Sequence, residues 1–144
     1  MKQTIRLALL TFVISLSATA VFAQTGPFSF FAITPCRAVD TRGGAPLGSG
    51  QTRNFAIRNV CGVPSTAAAV AINVTITGAT TQSFLTVWPT GGARPNVSTI
   101  NFTSTDQSLA NGAIVGLGTT PTDLAVFNCC GNVHVLIDVT GYFQ

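Results

Sequence analysis

The chain has 144 residues, of which 47% are hydrophobic and only 8% charged, with a mean hydropathy of +0.48 and a formal net charge of +3. It is long enough for one compact domain with a real core and too short for two ordinary ones. Its few basic residues form no run or stripe able to neutralise a phosphate backbone, so nucleic acid is not an expected partner.

Read from the start, Met1-Lys2-Gln3-Thr4-Ile5-Arg6 precedes an apolar run from Leu7 to Leu16, and Val21-Phe22-Ala23 closes the segment. This is the three-part pattern of a secretory signal peptide over 1–23, cut after Ala23. Ser15, Ser17 and Thr19 interrupt the run, which leaves it short of the about 20 apolar residues a membrane anchor needs. The expected mature domain is 24–144, secreted and free of the membrane after cleavage. It keeps Arg37, Arg42, Arg53, Arg58 and Arg94 against Asp40, Asp106, Asp123 and Asp138, a net charge near +1, with no lysine and no glutamate. Hydroxyls and amides must wet its surface. Surface helices draw on Lys, Glu, Gln and Arg, whereas the Thr, Val, Ile and Phe abundant here suit pleated sheets.

Within the domain, the first candidate strands are Phe28–Ile33 and Arg37–Thr41, followed by turn clusters at Gly43-Gly44-Ala45-Pro46 and Gly48-Ser49-Gly50 and then by Thr52–Arg58. After Gly62-Val63-Pro64-Ser65 comes the clearest strand, 70–77, with Val70, Ile72, Val74 and Ile76 on one face in strict alternation. Phe84–Trp88, Ser98–Phe102, Gly112–Leu117 and Leu124–Phe127 follow, divided by further Gly and Pro clusters. The last strand spans 132–140, with Val133, Val135, Ile137 and Val139 inward. Eight to nine short strands at this spacing predict an all-β, single-domain antiparallel β-sandwich of jelly-roll or Ig-like topology.

Four cysteines in an exported chain favour disulfides over metal ligation and allow three pairings. Cys36 and Cys61, each beside a proline or glycine turn, are the preferred pair. Cys129 and Cys130 are adjacent, so a bridge between them needs a strained ring; free thiols or an intermolecular bridge stay open. Adjacent cysteines also lack the spacing of a zinc site, and no metal or other cofactor is expected.

Catalytic groups are scarce. His134 is the single histidine, and a hydrolase needs it oriented by a carboxylate and aimed at a nucleophile. Asp138, four residues further along the same strand, is about 13 Å away at about 3.3 Å per residue, while Asp40, Asp106 and Asp123 stay open as partners. No Gly-x-Ser-x-Gly elbow, calcium loop or phosphate-binding glycine loop occurs. The chain is read as not an enzyme, with a His134-dependent hydrolase as the least favoured alternative.

The segment Thr34-Pro35-Cys36-Arg37-Ala38-Val39-Asp40-Thr41-Arg42 resembles the Pro-Cys-Arg-x-x-Asp-Thr-Arg signature that opens a family of uncharacterised bacterial exported β-domains, and the closing Ile137-Asp138-Val139-Thr140-Gly141-Tyr142-Phe143 resembles that family's ending. Between them, Cys61-Gly62-Val63-Pro64, Leu85-Thr86-Val87-Trp88-Pro89-Thr90-Gly91 and Pro95-Asn96-Val97-Ser98-Thr99-Ile100-Asn101-Phe102 keep the family's order. The resemblance implies an extracellular module without an established enzymatic activity; Cys129-Cys130 is a departure from it.

Scarce charges set in apolar strands predict a structural ion pair drawn from Arg37 or Arg42 with Asp138 or Asp40. Buried, such a pair makes Arg42→Ala strongly destabilising. The expected function is a non-catalytic structural or interaction module at the cell surface or in the matrix, taking a protein or glycan partner. An aromatic platform would be Trp88 or Tyr142, although large aromatics are more often partly core. The alternative is a self-assembling fibre subunit, with Phe28–Ile33 adding to a neighbour's sheet edge.

Overall fold

The period-two pattern resolves into eight strands in the computed structural model, which describes residues 27–103, 108–119 and 121–144. They are β1 (Phe30–Asp40), β2 (Thr52–Phe55), β3 (Ala69–Thr77), β4 (Ser83–Pro89), β5 (Ile100–Phe102), β6 (Leu109–Gly116), β7 (Leu124–Asn128) and β8 (His134–Phe143). No helix occurs among the described residues. The leader expected over 1–23, and Asp106, lie outside them.

The pairing is that of one long hairpin folded over on itself. β1 runs antiparallel to β8, β2 to β7, β3 to β6 and β4 to β5. Contacts of β3 with β8 and of β4 with β7 then join these ribbons into two four-stranded sheets, ordered β1-β8-β3-β6 and β2-β7-β4-β5. Eight strands in this order form a jelly-roll sandwich, the first of the two expected topologies; an Ig-like domain divides its strands differently.

Burial follows from the alternation. β3 reads half-buried and buried in strict turn, with Val70, Ile72, Val74 and Ile76 inward. Val135, Ile137 and Val139 of β8 meet them from the same sheet, and Leu85, Leu124 and Val126 from the other. Loops plug the open ends of the sandwich: Leu47, Ile57 and Val63 are 0 to 1% exposed. Each such side chain contributes about 1.5–3 kcal/mol.

Several boundaries differ from the sequence expectation, three of them for reasons that the hydrogen bonding and register show. Phe28–Ile33 and Arg37–Thr41 are not two strands; β1 is continuous, with register shifts between Ala32 and Cys36 and between Arg37 and Val39. Pro35, which lacks an N–H, falls in the first irregularity of what is an edge strand, where no ladder bond is lost. β2 stops at Phe55 because the N–H groups of Ile57 and Arg58 turn to the Asp123 carboxylate, at 2.6 and 2.8 Å, in place of a neighbouring strand. β6 starts at Leu109, ahead of the expected Gly112, since Ala110-Asn111-Gly112 pairs with β3 without showing any apolar alternation.

Asn128, 0% exposed, ties two loops to the start of β4. Its amide nitrogen donates to the carbonyls of Leu47, Gly48, Cys130 and Gly131 at 2.9–3.2 Å, and its Oδ1 accepts from the Ser83 hydroxyl at 2.8 Å. A buried amide satisfied in this way fixes one arrangement of the chain.

Candidate functional site

The residues of the opening signature meet on the outer face of the β1-β8-β3-β6 sheet. Register places Arg37 opposite Asp138, and the irregularity at Ala38 returns Asp40 to the same side. Arg37 donates to Asp138 through Nε and Nη2 at 2.8 and 3.0 Å. Arg42 donates to Asp40 through Nε at 2.9 Å, Nη2 at 2.6 Å and its backbone N–H at 3.0 Å. The Arg42 hydrogen bonds hold the Asp40 carboxyl well below the usual carboxylate range. Burial, however, is corrected: the side chains of Arg37, Asp138, Arg42 and Asp40 are 42, 23, 53 and 31% exposed. Pairs this open to water contribute little to stability.

The buried pair lies elsewhere and joins Arg58 to Asp123, whose side chain is 5% exposed. Asp123 also accepts the two backbone bonds that end β2, and Arg58 donates to the carbonyls of Ala67 and Gly118 at 3.0 and 2.6 Å. Sequence reasoning missed it. The sequence carries no signal for it: Phe55 and Ile57 keep the alternation up to Arg58, so the segment reads as strand to its end.

Cys36 and Cys61 form a disulfide with Cα atoms 5.7 Å apart, consistent with an extracellular protein. Cys129 and Cys130 are free, half-buried thiols in the β7–β8 connection. A hydrogen bond between the two thiols, with some burial, raises the Cys130 pKa. His134 Nδ1 lies 3.0 Å from the Thr41 carbonyl and 3.2 Å from its hydroxyl. A carbonyl only accepts, so a hydrogen bond there takes the proton on Nδ1, and the contacts tie the ring to the residue that follows β1. Among the described residues no group of three or more His, Cys, Asp or Glu side chains is arranged to hold a metal ion, and no helix is long and apolar enough to cross a membrane.

Neither aromatic expected to serve as a platform has a free ring face. Trp88 is 8% exposed, and its indole N–H donates to the Gly92 carbonyl at 3.2 Å, which places it beneath the segment after β4. Tyr142 packs against the core and stacks on Phe31 at 5.2 Å and 16°. The closing Gly-Tyr-Phe triplet is thereby explained as packing: a side chain on Gly141 would collide with the Phe30 ring, and Phe143 tilts against that ring at 5.1 Å.

An open concavity lies on the outer face of the other sheet. Residues 90–99, between β4 and β5, stand over that face and are pinned at several points. Trp88 holds Gly92, the Thr86 hydroxyl donates to the Val97 carbonyl at 2.6 Å, Thr99 accepts from the Val87 N–H at 2.9 Å, and Thr99 N–H donates to Leu85 at 2.7 Å. Between this wall and the sheet lies an open pocket of about 270 Å³. Phe84 and Thr86 form its floor; Arg94, Pro95, Asn96, Val97 and Ser98 form the wall, and Asn101 closes one end. Phe84 tilts against Phe127 at 6.0 Å, and the Arg94 guanidinium sits 3.7 Å over the Phe127 ring. Asn101 donates to the Ser98 hydroxyl at 2.9 Å. Among the described residues, none that lines it is a carboxylate, histidine or thiol.

A second depression, about 480 Å³, is lined by Arg58, Asn59, Ser65, Gly118, Thr119 and Asp123 among others. Its two charges already neutralise each other in the pair that ends β2, which makes it part of the scaffold. Comparison with models of known families, with curated proteins and with solved structures gives no match for the chain.

Proposed function

We propose that the chain is a secreted, non-catalytic module that binds a glycan in the pocket between β4, β5 and the 90–99 segment. The observation that carries this reading is the composition of that pocket: a half-buried phenyl floor with exposed amide, hydroxyl and guanidinium groups on the wall and end. A sugar ring presents an apolar face of C–H groups and a rim of hydroxyls, and such a surface complements both. At about 270 Å³ the pocket lies just under the usual range of small-molecule sites, about 300–1,000 Å³, which suits one ring of a chain entering from solvent. The described lining residues include no pair of carboxylates for acid–base cleavage of a glycosidic bond, which supports binding over hydrolysis. The apolar leader pattern, the disulfide and the likeness to exported β-domains support an extracellular setting.

The test is a glycan-array screen of the mature domain beside Phe84→Ala. The expected result is a defined set of bound glycans, lost in Phe84→Ala at an unchanged fold. Binding retained by Phe84→Ala, or none on the array, would sink the reading.

A second reading, self-assembly, is favoured by one observation. Phe28, Phe30 and Phe31 are 41, 51 and 44% exposed, the latter two on β1, an edge strand, and an apolar edge is a template for another strand. Light scattering over a concentration series separates the two: a monodisperse monomer at high concentration removes the fibre.

A further inference from the structure

We infer that the ligand of the β4–β5 pocket carries a carboxylate, so that the site takes an acidic sugar of the uronic acid class with Arg94 as its anion anchor. This deepens, and rests on, the glycan reading above. The argument begins with the distribution of charge. Arg37, Arg42 and Arg58 are matched by Asp138, Asp40 and Asp123. Arg53 is occupied by the carbonyls of Ala45 and Pro46, at 2.9 and 3.0 Å. Among the described residues, Arg94 alone of the arginines has neither a carboxylate nor a carbonyl partner. It is also the arginine that lines this pocket, where none of the described lining residues is an acid that would neutralise it.

Arg94 is held ready as well as uncommitted. Its guanidinium rests over the Phe127 ring, a contact between a cation and the negative face of an aromatic ring. That contact uses none of the five N–H donors. A planar guanidinium fixed in this way meets a carboxylate with two parallel hydrogen bonds, at a smaller loss of freedom than a lysine would suffer. A neutral sugar would accept hydrogen bonds from it but leave its charge unmatched. The ring-shaped floor at Phe84 and the amides of Asn96 and Asn101 favour a sugar acid over an acidic peptide, which has no apolar ring to lay on the phenyl group.

The experiment is calorimetric titration of the full mature domain with a short oligomer of galacturonic acid and with its methyl ester, which differs in the carboxylate alone. The acid is expected to bind about ten-fold more tightly than the ester. Arg94→Ala should remove that difference at an unchanged melting temperature, Arg94→Lys should restore only part of it, and added salt should weaken the acid form selectively. Equal binding of acid and ester overturns the carboxylate inference and leaves the glycan reading standing. Binding of neither form, against a positive array result with neutral glycans, overturns it in the same way; binding of no glycan at all overturns both. Tighter binding of a sulfated oligomer, or of an oligo-aspartate peptide, would move the anchor to a different acid and also reject the uronic acid assignment.

Discussion

The two outer faces of this sandwich are built from the same restricted alphabet and differ in what they leave unmatched. Across the β1-β8-β3-β6 face, register lines up Arg37, Asp138, Asn73 and Gly112 in one row and Asp40, Leu136, Thr75 and Ala110 in another. Its charges pair with one another. The β2-β7-β4-β5 face is covered by a pinned segment and shows Phe84, Phe127 and a cation that has no carboxylate partner among the described residues. A face whose polar groups satisfy each other has little left for a ligand. A face with unsatisfied donors above an aromatic floor has both the room and the chemistry, and position on the sheet, rather than composition, creates that difference.

Substitutions test the contrast from both ends. The largest effect belongs to the scaffold beneath both faces: Asp123→Ala leaves Arg58 half-buried without its partner and frees the N–H groups of Ile57 and Arg58. Urea unfolding should register a loss of about 3 kcal/mol or more. Opening the 25-residue Cys36–Cys61 loop by Cys36→Ser comes next, at about 3 kcal/mol on the chain-entropy view, measured the same way in the absence of reductant. On the proposed binding face, Arg94→Ala should change ligand affinity and leave the melting temperature where it was, since its contact with Phe127 lies at the surface; a clear fall in melting temperature would make it a structural residue.

The smallest effect is expected on the paired face. Arg42→Ala should shift the melting temperature little, because the pair stands in water. Asp40 offers a finer probe through pH. Its folded pKa lies below the unfolded value of about 3.9. The stability it contributes is therefore complete above that value and lost as pH falls through the lowered folded one. Carboxyl NMR should find Asp40 still ionised at about pH 4, half-titration for an ordinary aspartate; in Arg42→Ala, which keeps the backbone N–H bond of residue 42 and the nearby Arg37, its titration should move part of the way back toward the ordinary value. An Asp40 that titrates normally in the parent chain would show the pair open in solution.

Much of the fold was legible because strands advertise themselves by period. Val70 to Ile76 and Val133 to Val139 show clean alternation, and they became the two central strands of one sheet. Boundaries were less legible where side chains replace ladder bonds, as at Asp123, or where bulges rejoin segments that a proline divides, as at Pro35. The candidate site was hidden for a different reason. Phe84, Arg94 and Phe127 are separated along the chain, and only the β4–β7 register with the folded-back 90–99 segment brings them together. Trp88 drew attention by residue type, yet that same segment covers it.

The most direct test is to map the ligand on the molecule. A ¹⁵N-labelled mature domain, titrated with the tightest oligosaccharide found on the array, should show amide shifts concentrated at Phe84, Arg94, Asn96 to Ser98 and Asn101, with the row of Arg37, Asp138 and Asn73 undisturbed. Shifts centred on that row or on Phe28 to Phe31, with the β4–β5 pocket silent, would contradict the assignment of function to this face.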